Sequence, residues 1–360
     1  MVAALQAQPQ EQKNINRTMR KQNKGKSGKG IGWLFRLDKN PHKGLLSVEW
    51  VAMGYLLLTT VLVLLLYTKM ENPTAMLMGR ARVVAMTAAL WLVYRLVPCP
   101  LTRFARIGAQ ILLLAWWYPD TYELNRTFQN LDHIFAQIEQ SWFGCQPALL
   151  FCQKVTSPIV SELFDFGYGA YYPMIGLVTL YYFFWRYHEF ERAAFILLAS
   201  FFLFYVIFVF VPVVGPTFYY KAVGLKKIAA AVFPPMHDYF NYHQDCLPSP
   251  GYVDGVCYQF VEGAKEAGER PTAAFPSSHV GVSTVLMWLL WHARNRGLLF
   301  TLLPVYVLLC CATVYIQAHY LIDALAGLLS GIAFYVAFMF VSSLIPSPKP
   351  NRRAKAGRRS

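Results

Sequence analysis

Apolar residues fill most of this chain in long blocks. Blocks close to the ~20 residues a helix needs to cross a bilayer fall at 45–67, 166–185, 193–212, 298–317 and 320–345. Shorter or interrupted blocks occupy 81–97, 101–118 and 276–291, the first two carrying Arg95, and Arg103 with Arg106, near their ends. The pattern predicts an all-α polytopic protein of about eight membrane-spanning helices. One stretch is patterned differently. Residues 124–144 space Leu124, Phe128, Leu131, Phe135, Ile138 and Trp142 as one face of a helix, which predicts an amphipathic helix lying on the outer interface with its apolar stripe packed.

Composition agrees, with 56% hydrophobic and 14% charged residues against roughly 25% charged in soluble domains. The net charge of +14 is confined to the ends. Residues 1–43 contribute +8 and residues 346–360 contribute +6, so 44–345 sum to zero. Such tails read as solvated segments touching anionic lipid and not as nucleic-acid binding. The first 43 residues lack the apolar core of a cleavable signal peptide. An even number of spans puts both tails on one side, which the positive-inside rule makes cytoplasmic. "HARNRG" (292–297) then falls inside, and loops 119–165 and 213–275 fall outside. Loop 119–165 carries Asp120, Glu123, Asp132, Glu139, Glu162 and Asp165 against Arg126 and Lys154.

Of seven cysteines, Cys145, Cys152, Cys246 and Cys257 fall in outer loops, where an oxidising compartment permits disulfides. Cys246 with Cys257, within one loop, is the expected pair. No metal or other cofactor is implied, since no cysteine or carboxylate–histidine cluster has ligand spacing. "NRT" (125–127) is a glycosylation sequon if the compartment is eukaryotic.

The chemistry centres on three polar groups beside apolar runs: His279, His319 and Asp323. Ionisable groups at membrane depth are costly and therefore functional by default. His319 and Asp323, four apart in "YIQAHYLIDALAG" (315–327), are expected on one face of the final helix. There the aspartate accepts a hydrogen bond from one ring N–H, which fixes the tautomer and leaves the other nitrogen as nucleophile or base. "PSSH" (276–279) opens a second helix with a proline, two hydroxyls and free N–H groups, which suits an anion. A histidine beside an anion site together with a His–Asp pair is what phosphoryl transfer through a phosphohistidine requires.

"PSSH" and "HYLIDALAG" resemble the second and third signatures of the type 2 phosphatidic acid phosphatase superfamily. They are most similar to its inositol phosphorylceramide synthase branch, as are "GPT" (215–217), "DHIFAQIEQSWFGCQPALL" and "ELFDFGYGAYYPM". The resemblance spans roughly 120–345, which leaves 1–44 as a basic tail, 45–119 as extra N-terminal spans and 346–360 as a second tail. It implies His319 as nucleophile, Asp323 as its orienting partner, and His279 as general acid and then base. Ser277, Ser278 and the His279 amide would hold phosphate oxygens. The family's Ser-Arg pair ahead of the nucleophile is replaced by Ala312 and Thr313, and its Lys-x6-Arg-Pro signature is absent as such, Lys265 being out of register with Arg270-Pro271. A phosphate needs cationic neighbours, and the candidates are Arg270, then Lys221, then Lys226 and Lys227.

Two enzymatic readings stay open, because their chemistry is shared up to the phosphohistidine. One is head-group transfer from a phospholipid to a lipid alcohol such as ceramide. The other is a lipid phosphate phosphatase that hands the group to water. The acceptor pocket separates them, and the sequence offers for it only outer-face tyrosines such as Tyr168, Tyr171, Tyr172, Tyr219 and Tyr220, which also suit an interfacial belt. A transporter or sensor using His319 and Asp323 as a proton relay is the non-enzymatic alternative, but it has no need of Pro-Ser-Ser before His279. Membrane lipids are the expected partners.

Overall fold

The computed structural model describes residues 30–39 and 41–344, so most of the N-terminal tail and all of the C-terminal tail lie outside the described residues. Every regular element among the described residues is helical. In chain order these are α1 Ser47–Leu65, α2 Pro73–Leu96, α3 Pro100–Leu112, α4 Leu114–Asn125, α5 Asp132–Phe143, α6 Pro147–Lys154, α7 Pro158–Gly169 and α8 Tyr171–Trp185. They continue with α9 Tyr187–Phe210, α10 Pro216–Val223, α11 Leu225–Ala229, α12 Val256–Gly268, α13 Ser278–His292, α14 Arg296–Tyr315 and α15 Leu321–Leu344.

Five of these, α1, α2, α9, α14 and α15, are long and apolar enough to cross a membrane, which fits an integral membrane protein. The other expected spans take different forms. Block 101–118 is divided between α3 and α4, and 276–291 is the 15-residue α13. Block 166–185 breaks between α7 and α8, where Pro173 has no N–H for the Gly169 carbonyl and its ring crowds that group. Helix α2 begins at Pro73, eight residues before the apolar block does. Arg80, just ahead of the block, is buried within the helix and holds both carboxylate oxygens of Asp120 at 2.9 and 2.8 Å.

Helix α9 is the central post, packed against α1, α3, α4, α8, α13 and α15. Ion pairs join the N-terminal helices to one another and to it. Arg106 of α3 pairs with Glu49 of α1, both fully buried, and Arg103 pairs with Glu191 of α9, which also accepts from the Ser47 amide and hydroxyl at 3.1 Å. Helices α13 and α15 pack closely because glycines line their contact. A Cβ on Gly327 would collide with the Ser277 carbonyl, and one on Gly331 with that of Gly281.

The segment expected as one amphipathic helix is interrupted at 126–131, and α5 starts at Asp132. The apolar stripe does pack in large part: Leu124 is buried and Leu131, Phe135 and Ile138 lie against the core, while Trp142 is 69% exposed, and the neighbouring Asp132, Ala136 and Glu139 are buried more deeply. All seven cysteines are free, so Cys246 and Cys257 are not bonded to each other. Asn125 of the sequon is buried, and its side-chain amide donates to the Phe208 carbonyl.

Candidate active site

The site forms where the N-terminus of α13 meets the turn between α14 and α15. Ser277 caps α13, its hydroxyl accepting from the Val280 amide at 3.4 Å. Its own N–H donates to the Asp323 carbonyl at 3.0 Å. The start of the helix carrying His279 is thus bonded to the first turn of α15. His319 lies in the turn, two residues before α15 begins, and not on the helix as the spacing suggested. Its amide donates to the Thr313 carbonyl at 3.0 Å.

The ring of His319 is held by a backbone oxygen. Nδ1 lies 2.8 Å from the Ala274 carbonyl, whereas Asp323 Oδ2 is 3.7 Å away, too far for a hydrogen bond. A carbonyl can only accept, so Nδ1 carries the proton and Nε2 keeps its lone pair. The nearby carboxylate can still stabilise positive charge on the ring. Asp323 also has a local duty: Oδ2 accepts from the Tyr320 amide at 2.9 Å, the reciprocal half of a capping box for α15. Burial lowers His319 to about 4, the Ala274 carbonyl and then Glu269 working against the fall, so the imidazole is neutral at pH 7. Two residues hold left-handed backbone here, Ala273 (φ 69°) and Gln317 (φ 63°), and such conformations cost non-glycine residues about 1–2 kcal/mol.

His279 faces this ring with centroids 5.8 Å apart. Tyr168 stacks on it at 4.8 Å and Tyr171 packs against it at 4.4 Å. The buried atoms His279 Nδ1, Asp323 Oδ1, Tyr171 Oη, Thr272 Oγ1 and Glu269 Oε2 have no hydrogen-bond partner within the protein. Unpaired buried polar atoms cost free energy, and several around one pair of histidines mark a place for a polar ligand.

The expected phosphate-binding residues fare unequally. Ser278 is half-buried in the first turn of α13, where the amides of Ser278 and His279 lack helical acceptors. Ser277 is fully buried, with its amide and hydroxyl both engaged in the scaffold. Arg270 is exposed and donates to the Gln244 side chain at 2.7 Å. Lys221 is exposed in the last turn of α10, and Lys226 and Lys227 are exposed on α11. No hydrogen bond or ion pair among the described residues joins any of these cations to His279, His319 or Asp323. Lys265 is used elsewhere, on Glu262, the Leu247 carbonyl and Ser249.

The sequence reading missed the carboxylates that hold the turn carrying His319. Asp132 accepts from the amides of Val214 (2.7 Å) and Gly215 (2.9 Å) and from Asn130 and the Tyr320 hydroxyl. Glu139 accepts from the Ile322 amide at 3.1 Å. Burial raises Asp132 to about 6 and Glu139 to about 8, hydrogen bonds opposing the rise in each case. The signal was present: two acids seven residues apart share one face of α5. The "GPT" segment lies beneath the same turn, with the Thr217 amide on the Gln317 carbonyl at 2.8 Å. Gly215 (φ 91°) packs so near the Ala318 carbonyl that a side chain has no room.

The protein is all-helical among the described residues, has five helices of membrane-spanning length, and brings two histidines face to face at the junction of three segments. The chain belongs to the PAP2 superfamily, whose family model matches residues 133–337, including both histidines and Asp323. No curated protein and no solved structure matches it. Membership of this superfamily suggests lipid phosphatase or phosphotransferase activity.

Proposed function

We propose that this protein transfers a phosphoryl-linked head group, phosphoinositol or a similar unit, from a phospholipid to a lipid alcohol such as ceramide. In the first step His319 Nε2 attacks phosphorus, the bond to the diacylglycerol oxygen breaks, and His279 gives that oxygen a proton. In the second the acceptor hydroxyl attacks, the N–P bond breaks, and His279 takes the hydroxyl proton. Asp323 stabilises the charge that the ring gains on attack.

The observation that carries this reading is the histidine pair itself: a neutral His319 whose tautomer is set by a carbonyl, with His279 at 5.8 Å. The surroundings favour a phosphodiester donor over a phosphomonoester. A diester carries one negative charge at phosphorus, a monoester about −1.5 to −2 at pH 7, and no cation among the described residues is bonded to the pair. Orphaned acceptors and donors around the site (Glu269 Oε2, Thr272 Oγ1, Tyr171 Oη) suit a hydroxyl-rich head group.

In the membrane this reading takes the α3–α4 pair, the α7–α8 pair and α13 as three further spans, eight in all with the five long helices. Both tails are then cytoplasmic, and the site opens to the periplasm or an organelle lumen. The test is purified protein supplied with labelled phosphatidylinositol and ceramide and, separately, a lipid phosphate. Transfer to ceramide without phosphate release is expected, and free phosphate as the sole product would establish the phosphatase reading instead. His319→Ala and His279→Ala should each lower turnover by about three orders of magnitude. Near-normal turnover in either would remove that residue from the mechanism.

A further inference from the structure

An apolar groove of about 480 Å³ runs between the α7–α8 break, α12 and α14, within the range of roughly 300–1,000 Å³ common for small-molecule sites. Phe166, Leu177, Phe260, Leu302 and Val305 line it. Gly169 and Ala170 in its wall are flanked in sequence by Tyr168 and Tyr171, the two rings packed on His279. The wall of the groove is thus continuous along the chain with the two rings that pack on His279.

One lining residue is out of keeping with the rest. Asp165 is fully buried, and its Oδ1 has no hydrogen-bond partner. Oδ2 receives only a long bond of 3.4 Å from the Ser161 hydroxyl. Glu162, one turn earlier, is by contrast fully used, capping α12 at the amides of Cys257 (3.1 Å) and Tyr258 (3.0 Å). An unpaired buried carboxylate oxygen on an apolar wall calls for a donor from outside the protein. No lysine or arginine lines the groove, and Lys265, the nearest cation felt by Asp165, is already paired with Glu262. Charge thus disfavours a phospholipid phosphate here and favours an uncharged donor.

We infer that this groove seats the acceptor substrate, an uncharged long-chain lipid alcohol whose hydroxyl or amide N–H donates to Asp165 while its chain lies along Phe166, Leu177, Phe260 and Leu302. The inference rests on the transferase reading for the word acceptor, and on the groove alone for the class of lipid.

The experiment uses the full-length protein in lipid nanodiscs at pH 8, with photoactivatable ceramide, diacylglycerol and phosphatidylinositol as separate probes and labelled peptides mapped by mass spectrometry. Ceramide should label segments 164–180 and 256–262, and unlabelled ceramide should suppress that labelling. Leu177→Trp, which fills the groove from its lipid-facing side, and Asp165→Leu should each reduce it about tenfold. In the transfer assay Leu177→Trp should raise KM for ceramide about tenfold and leave KM for phosphatidylinositol unchanged. Equal labelling by phosphatidylinositol, preference for diacylglycerol, or no ceramide labelling of these segments would overturn the assignment. Ceramide labelling in a protein that forms no transfer product would sink the transferase reading and leave the groove a neutral-lipid site.

Discussion

At the scale of single residues, His319 owes its properties to a backbone oxygen and to burial. Burial holds it near 4, against 6.5 in a free side chain, and in the proposed mechanism the nucleophile is the neutral ring. The acid limb of kcat/KM is therefore expected near pH 4 and not near 6.5. Glu269→Gln removes a charge that raises His319 and should move the limb further down. A pH–rate profile on both proteins checks this, and a limb at 6.5 in each would mean that the nucleophile is solvated. Glu139 titrates in the opposite sense. Its folded value of about 8 lies above the unfolded 4.5, so the folded state keeps a proton that the unfolded state has lost between those values. The stability it contributes is present below pH 4.5 and falls as pH rises toward 8, by at most about 1.4 kcal/mol per pH unit. Unfolding midpoints at pH 5.5 and 8 should converge in Glu139→Gln. The histidines and Asp323 were legible from residue type and spacing. The Ala274 carbonyl was not, since a backbone acceptor leaves no trace in side-chain identity. Asp132 and Glu139 were obscured by the apolar stripe beside them, whose Leu131, Phe135 and Ile138 also pack inward.

At the scale of elements, the site depends on how closely two helices approach. The Ser277 amide bonds the Asp323 carbonyl at 3.0 Å, and Gly327 allows the contact by presenting no side chain to the Ser277 carbonyl. Gly327→Ala should push α13 away from α15 and carry His279 with it. A misplacement near 1 Å can cost about a hundredfold in rate, so turnover should drop to that extent. Ala itself favours a helix, so α15 should stay formed. Circular dichroism alongside the transfer assay separates the two effects, and wild-type turnover in this variant would show that the approach is not needed. Helix-length apolar blocks were readable because a long hydrophobic run has few other uses. The break at Ala170 was not, because hydropathy ignores where a proline withdraws an N–H. The start of α2 was missed because a charge with a buried partner cannot be told from a solvated one by sequence.

At the scale of the whole molecule, helices ahead of the matched region are joined to it by charges. Arg106 and Glu49 are both fully buried, and Glu49 also accepts from the Leu46 amide at 2.8 Å while Arg106 reaches the Gly44 carbonyl at 3.2 Å. Removing one partner of such a pair leaves a buried charge uncompensated, at a cost of about 3–5 kcal/mol, whereas replacing both by apolar residues of similar size is often neutral. Arg106→Met should therefore lower the unfolding midpoint sharply, and the Arg106→Met/Glu49→Met double variant should recover most of the loss. Because α3 leads through Arg103 to Glu191 on α9, and α9 packs on both α13 and α15, the single variant should also lose turnover while keeping His279, His319 and Asp323. The double variant tests what the pair is for. Restored stability with restored turnover makes it a replaceable latch. Restored stability with turnover still low would mean that the ion pair fixes the register of the N-terminal helices against α9, and through it the distance between His279 and His319.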